Sequence, residues 1–526
     1  MGSKGIPEDM MSFFSGKGGH SLIIKGSAGT GKTTLALQLI EELQDIPGSY
    51  YLSIRVSDES LYNQFPWLRE KVRRTELMKV GRGFLRSFEE LEEEEKERIR
   101  QARTLLREVS EDEVRVTRVD RTELNKLEGR LEMGQEGDEV YERVGEGEVV
   151  DDSVVFDLGS DLPEIDLAYE AVETNLPRKS LLIIDSIDAL SERYGIHPSK
   201  LINTVQKDLV ENSNTNVAYI LERKGETKLD YLGDGVVELR DEEVHGRRLR
   251  VMSVEKLRGR EIKQHKYVFT LKDGRIRAFS HQVPRPTKRA RRWKPIKDKG
   301  KRVSTGNKDL DQLIGGLARG GIVSIQVHVN VPNDFIDPLL VGLVSNFCRL
   351  GRGVALVPPR KTIADFVRDA IVPYTGEEAF DNYVRVFESS PLGSLEGSKN
   401  ALQMEGSSVE TDLKWSTIEY NLSGAKHPFL SLMAFDTLEA VYGETVASEM
   451  TGHFSAIRKA KDIFIGLTTP TCKSAESVAN ISSVHLRVEN VDGCILLFGE
   501  KPYTGFYNLS FDYGLGRPKA ILTPVV

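Results

Sequence analysis

Cysteine is scarce. Cys348, Cys472 and Cys494 are the three in 526 residues, and no two are spaced as Cys-x-x-Cys. That excludes the usual zinc and thiol-redox motifs and predicts buried structural thiols in a reducing compartment. Long apolar runs are also missing. There is no stretch of 18 apolar residues and no signal segment, which predicts a soluble, cytoplasmic chain with no membrane span. Positive charge is not in excess either. The formal net charge is -8 and the pI near 5.8, so the chain as a whole is no nucleic-acid coat, although local basic patches could still matter. At this length two or three domains are expected, and 39% apolar residues suffice for their cores.

What the chain does have is a phosphate-binding loop, Gly26-Ser27-Ala28-Gly29-Thr30-Gly31-Lys32-Thr33, followed by Thr34. The apolar run Ser21-Leu22-Ile23-Ile24 before it predicts a buried strand. After it, Leu35, Ala36, Leu39, Ile40 and Leu43 fall on one face of a helix. The glycines let the backbone fold around phosphate oxygens with its N–H groups turned inward. The helix adds its positive dipole end at the same point. The predicted cofactor site is therefore Gly26, Ser27, Ala28, Gly29, Thr30, Gly31, Lys32, Thr33 and Thr34. Lys32 can reach the β- and γ-phosphates, and Thr33 can offer its hydroxyl to Mg²⁺. Asp185 ends the apolar run Leu181-Leu182-Ile183-Ile184 and is the expected second Mg²⁺ partner. A plain helix N-cap is the alternative for it.

Residues 21–66 read as strand, loop, helix and a second strand at 50–54. From about Glu70 to Gly147 charge dominates, including Glu92-Glu93-Glu94-Glu95. Phe88, Leu91, Ala102, Leu105 and Leu106 give this insertion a partial helical stripe. It reads as a long solvated helix and a polar irregular segment, with a partner-binding arm as the alternative. Strand–helix alternation resumes at 181, with a strand at 217–221 and then short strands at 236–239, 249–255, 267–271 and 276–279. This pattern predicts a mostly parallel sheet with an antiparallel edge. A proline-rich basic stretch marks a linker at 284–302. A second α/β pattern fills 303–526, with strands at 322–327, 354–357, 429–435, 463–467 and 494–498. The halves rhyme: Asp185-Ser186-Ile187-Asp188-Ala189-Leu190 aligns with Asp436-Thr437-Leu438-Glu439-Ala440-Val441.

Together these residues resemble the RecA superfamily and, within it, the KaiC-like ATPases. The resemblance is carried by the phosphate loop, Ile183-Ile184-Asp185-Ser186, Gly233-Asp234-Gly235-Val236-Val237-Glu238-Leu239, Lys256-Leu257-Arg258-Gly259 and Tyr267-Val268-Phe269-Thr270-Leu271. In the second half it is carried by Ser304-Thr305-Gly306 and Leu310-Asp311-Gln312-Leu313-Ile314-Gly315-Gly316-Leu317. A narrower resemblance is to GvpD, the archaeal gas-vesicle regulatory family. It rests on Arg55-Val56-Ser57, Phe65-Pro66-Trp67-Leu68, the arginine-rich patch and a second half without a phosphate loop.

The resemblance implies an α/β fold of two tandem RecA-like (KaiC-type) domains, at 1–283 and 303–526, with mostly parallel central sheets, the second degenerate. It implies ATP with Mg²⁺, and a catalytic set of Lys32, Asp185, Lys256 and Arg258. Lys256 and Arg258 would reach a neighbouring subunit's nucleotide in a homo-oligomer, as an arginine finger does. An edge strand carrying charge against aggregation is the alternative for that pair. It also implies a protein partner, a transcription regulator in the GvpD case.

Two departures qualify this. KaiC-like hydrolases carry paired glutamates just after strand two, where Arg55 and Val56 stand here, with Asp58 and Glu59 nearby. Slow hydrolysis, or binding without turnover, is the expectation. Between Ile322 and Gly342 there is neither glycine nor lysine, and His328-Val329-Asn330-Val331-Pro332-Asn333-Asp334 takes the loop's place. No anion cradle can form there, and Lys501-Pro502-Tyr503 lacks the arginine of the trans motif. The linker patch of Lys288, Arg289, Arg291, Arg292, Lys294 and Lys297 reads as a plain linker, as a protein-docking site, or as a nucleic-acid contact with Trp293 stacking. The expected function is an ATP-binding regulator with weak or no hydrolysis. A recombinase-like ATPase acting on DNA and a nucleotide-stabilised scaffold are its rivals.

Overall fold

The structure, a computed structural model, describes residues 5–43, 48–53, 176–281, 289–389 and 400–526, with isolated positions between them. The charged insertion and Arg55, Val56, Asp58 and Glu59 lie outside the described residues.

Ser21–Gly26 forms strand β1, buried along its whole length. The helix Lys32–Glu42 follows, then β2 (Gly48–Ser53), β3 (Ser180–Asp185) and β4 (Asn216–Leu221). These strands are apolar on both faces because both faces are covered. Leu22, Ile24, Leu181, Ile183 and Ala218 pack with Leu35 and Leu39 of that helix. Ile23, Leu182, Ile184, Val217 and Tyr219 pack on the other side with Ile187, Leu190 and Leu201. Four further strands complete the sheet: β5 (Gly235–Val244), β6 (Arg247–Leu257), β7 (Lys266–Thr270) and β8 (Arg277–Ala278). Among the described residues the order is β2-β3-β4-β1-β5-β6-β7-β8. Pairing is parallel from β2 through β5 and antiparallel beyond.

The second half begins with a two-stranded ribbon, β9 (Arg302–Val303) and β10 (Leu317–Ala318), around the helix Lys308–Ile314. Its main sheet comprises β11 (Ile322–Val327), β12 (Arg352–Val357), β13 (Val384–Glu388), β14 (Ala401–Gln403) and β15 (Lys426–Ala434). It continues with β16 (Ile463–Thr468), β17 (Val484–Val491), β18 (Cys494–Lys501), β19 (Tyr507–Asp512) and β20 (Lys519–Pro524). The run β12-β15-β16-β11-β17-β18-β19-β20 repeats the strand order of the first sheet, and β13 and β14 extend it beyond β12. The strand expected at 429–435 stops at Ala434, and Phe435 and Asp436 open the helix Phe435–Tyr442. Asp436 therefore heads a helix instead of ending a strand.

The sheets meet along their antiparallel edges. Leu249, Val251, Val268 and Phe279 share one cluster with Cys494, Leu496, Phe498, Phe506 and Val525. Arg247 crosses this seam, donating to the carbonyls of Thr504 (2.6 Å) and Gly499 (2.9 Å). Its guanidinium lies over the rings of Phe498 and Tyr503, a geometry that favours a cation. All three cysteines are buried and free.

The basic stretch is not a free linker. The Arg291 amide donates to Gly516 and that of Trp293 to Tyr374, at 2.8 and 2.7 Å. The Trp293 side chain packs against Gly342, and its indole N–H faces Asn346 Oδ1 at 3.4 Å. At 6% exposure it cannot stack on a base, which overturns that reading of Trp293. The reason is physical: a large apolar ring with a hydrogen-bond partner at hand gains more in a core than in water. Trp293→Ala should cost about 3–5 kcal/mol, read as a lower denaturant midpoint of the full chain.

His453 lies in the second half's core, with Nδ1 donating to the Leu413 carbonyl at 2.9 Å and Nε2 accepting from Ser431 at 3.1 Å. Burial pushes its pKa down to about 4. The unfolded chain, with histidine near pKa 6.5, takes up a proton that the folded chain refuses. This group's contribution to stability is therefore complete above about pH 6.5 and is lost as pH falls toward 4. Unfolding midpoints measured across that window should fall, and His453→Gln should flatten the slope.

Candidate nucleotide site

β1 delivers its loop at the middle of the first sheet, between β4 and β5. Gly26 leaves the strand at φ +152°, and a Cβ there would stand 2.3 Å from the Leu239 carbonyl oxygen. Gly31 caps the following helix in the left-handed region at φ +104°, a conformation that glycine alone adopts cheaply. The first amides of that helix have no partner within it and are available to an anion. Thr30 Oγ1 closes the loop on the Ser27 carbonyl at 2.9 Å. Lys32 Nζ donates to the same carbonyl at 2.7 Å.

β3 ends beside this loop. Asp185 Oδ2 accepts from Thr33 Oγ1 at 2.7 Å and from the Tyr51 hydroxyl at 2.6 Å. Burial, reinforced by Asp185, raises the Tyr51 pKa well above its ordinary value, so the phenol stays a donor. Burial lowers the Lys32 pKa, opposed by the charges of Glu222, Asp185 and Asp188. Asp188 holds the end of β4, accepting from the Glu222 amide at 2.6 Å and from Arg223 Nε at 3.0 Å. A glycine cradle, an ammonium, and a hydroxyl paired with a carboxylate form the donor set for a divalent-cation-bound polyphosphate.

The sequence-predicted residues Gly26 through Thr34 and Asp185 thus come together. Tyr51 and Asp188 were missed. The β2–β3 register sets Ser53 opposite Asp185, so Tyr51, two residues earlier, shares its face. A tyrosine at that spacing was the available signal. Lys256 and Arg258 are not at this loop. Leu22 pairs with Gly235 and Gly26 with Leu239, while Lys256 pairs with Val236. The pair therefore sits toward the far end of β1, Lys256 about 10 Å away at the rise of a strand and Arg258 further. There Lys256 Nζ donates to the Gly233 carbonyl at 2.6 Å and Arg258 to Asp234 Oδ1 at 2.8 Å.

After β11 the loop is pinned to β17 by Asn330, which donates to the Asn490 carbonyl and accepts from its amide. Arg360, in the left-handed region at φ +56° after β12, donates its amide to Asp436 Oδ2 at 2.7 Å. Its guanidinium bonds Asn333 Oδ1 (2.7 Å) and Asp337 Oδ1 (3.1 Å) on the helix Asn333–Arg349.

Three family models match the chain. The model for the GvpD gas vesicle protein, P-loop domain, matches residues 10–91, the KaiC ATPase model matches 162–283, and the GvpD basic region 2 model matches 292–526. Two Halobacterium salinarum proteins align over almost their whole length. Protein GvpD2 is 24% identical, covering 99% of this chain and 96% of its own, and Protein GvpD1 is 22% identical, covering 99% and 97%. The chain is a GvpD-like P-loop protein of the KaiC type. Nucleotide binding follows from its P-loop ATPase domain. Among the described residues no helix is long and apolar enough to cross a membrane.

Gly26→Ala drives a methyl group into the Leu239 carbonyl. It should cost about 1–3 kcal/mol, seen as a lower melting temperature, and should weaken nucleotide binding in the same preparation.

Proposed function

We propose that the chain is an ATP-binding regulatory protein with weak or no ATP hydrolysis, which switches a protein partner. One observation carries the reading. The first sheet offers a complete phosphate loop with its Thr33–Asp185 pair, while the loop after β11 in the second has neither glycine nor lysine and is tied to β17 through Asn330. On this reading residues 1–283 form the ATP-binding domain, 284–302 a basic linker, and 303–526 a degenerate KaiC-type domain. Mg²⁺ would be held by Thr33 and Asp185, where it would neutralise triphosphate charge. Lys32, released from Ser27, would take the β- and γ-phosphates.

The relatives' GvpD names and the gas vesicle protein model support a link to gas vesicles. We further propose a role in their regulation, with a transcription regulator as the partner and action in the cytoplasm. The arginine and valine that follow β2 in sequence support weak turnover, since neither can orient a water. Lys256 and Arg258 act on nucleotide only from another copy of the chain, so catalysis by them requires a homo-oligomer. The net charge of -8 and the buried Trp293 weigh against DNA as the ligand.

Calorimetry with Mg·ATP should find one site per chain. Lys32→Ala should weaken it by about 10-fold or more, the scale of a lost charge-assisted hydrogen bond. Asp185→Asn should weaken binding in Mg²⁺ and much less without it. ATP turnover that single-stranded DNA stimulates in a salt-sensitive way would replace the regulator with a recombinase-like ATPase.

A further inference from the structure

Arg250 bonds both the phosphate loop and the last residue of the second half. Arg250, on β6, is buried, with 7% of its side chain exposed. One terminal nitrogen donates to the Gly29 carbonyl in the phosphate loop at 3.2 Å and to Asp241 Oδ1 at 2.9 Å. Its Nε donates to the main-chain oxygen of Val526 at 2.8 Å. Val526 follows β20, the last strand of the second sheet. The same oxygen accepts from the Leu271 amide at 3.2 Å, and the Val526 amide donates to Thr270 Oγ1 at 3.3 Å. Leu271 then returns to the loop, because its side chain lies 3.2 Å from where a Gly31 Cβ would be. Two short routes therefore join residues 525–526 to both helix-side glycines of the loop. Val525 itself is locked in the seam between the sheets.

We propose that Arg250 is a positioning residue for the phosphate loop and that its own position is set by the second half, so that nucleotide loading and docking of residues 521–526 stabilise each other. This rests on the reading of the loop as a nucleotide site. The chemistry is specific to a guanidinium. It reaches the Gly29 carbonyl and the Val526 oxygen from different nitrogens of one rigid plane, whereas a lysine ammonium is a single point. A loop whose carbonyl is already held outward loses less freedom when its amides close on phosphate. By linkage, whatever loosens residues 521–526 must loosen nucleotide, and the reverse.

Hydrogen–deuterium exchange on the full chain, with and without Mg·ATP, tests this. In the wild type Mg·ATP should slow exchange at 26–33 and also at Leu271 and 521–526. Arg250→Lys keeps the charge beside Asp241 but cannot span both oxygens. Thr270→Val loosens Val526 from the far side without touching the loop. Each should weaken Mg·ATP by about 5-fold or more, the lower edge of ordinary coupling, and should lose the protection at 521–526 while keeping some at 26–33. Protection at 26–33 alone in the wild type would overturn the coupling and leave the nucleotide site intact. So would both variants binding and protecting as the wild type does. No protection at 26–33 would remove the nucleotide reading itself, and this inference with it.

Discussion

Parallel pairing of β1 on both sides is the constraint from which the site follows. A strand held between β4 and β5 has no edge, so its register cannot slip, and its carboxyl end is fixed to within a residue. That end lies at the crevice where open α/β sheets bind ligands. Neighbouring strands lie about 4.8 Å apart, so Asp185 on β3, two strands away, is too far to meet β1 itself. It meets Thr33 instead, after the loop and the first residues of the helix have carried the chain back across the intervening strand end. The hydroxyl–carboxylate pair is thus a product of sheet spacing and loop length together.

The same scaffold without glycine behaves differently. Val327 leaves β11 into a loop that Asn330 and Asn490 tie down, and after β12 Arg360 bonds the helix that follows that loop. That arginine lies on the surface, its guanidinium bonded to the Asn333 amide oxygen and the Asp337 carboxylate. The strand order of the second sheet rests on buried, mainly apolar runs such as Val354 to Val357 and Leu430 to Ala434. Those runs do not depend on what the loops bind.

Much of this was legible in the residues. The loop, its flanking strand and helix, Asp185 and the repeated α/β rhythm all announce themselves, because spacing and apolar periodicity are local. What was hidden is non-local. Trp293 sits in a stretch dense with arginine and proline, and only the proximity of Gly342 and Asn346 makes it a core residue. The strand expected at 429–435 begins three residues earlier, at Lys426, and ends one residue earlier, at Ala434; Phe435 is as apolar as the strand before it, and the turn into a helix leaves no compositional mark. Tyr51 and Arg250 gain their meaning from register across β2–β3 and from the end of a strand 276 residues away. Arg55 and Val56, which stand where KaiC-like hydrolases carry glutamates, and the charged insertion lie outside the described residues.

The position of Lys256 and Arg258 has a geometric consequence. They stand at one end of the sheet and the phosphate loop at the other. A neighbour that supplied them would have to present the opposite pole of its sheet to the one it receives. Such a contact is head-to-tail, with two different surfaces on each protomer, and it never closes as a two-fold dimer. It either comes full circle as a ring or grows without limit as a filament.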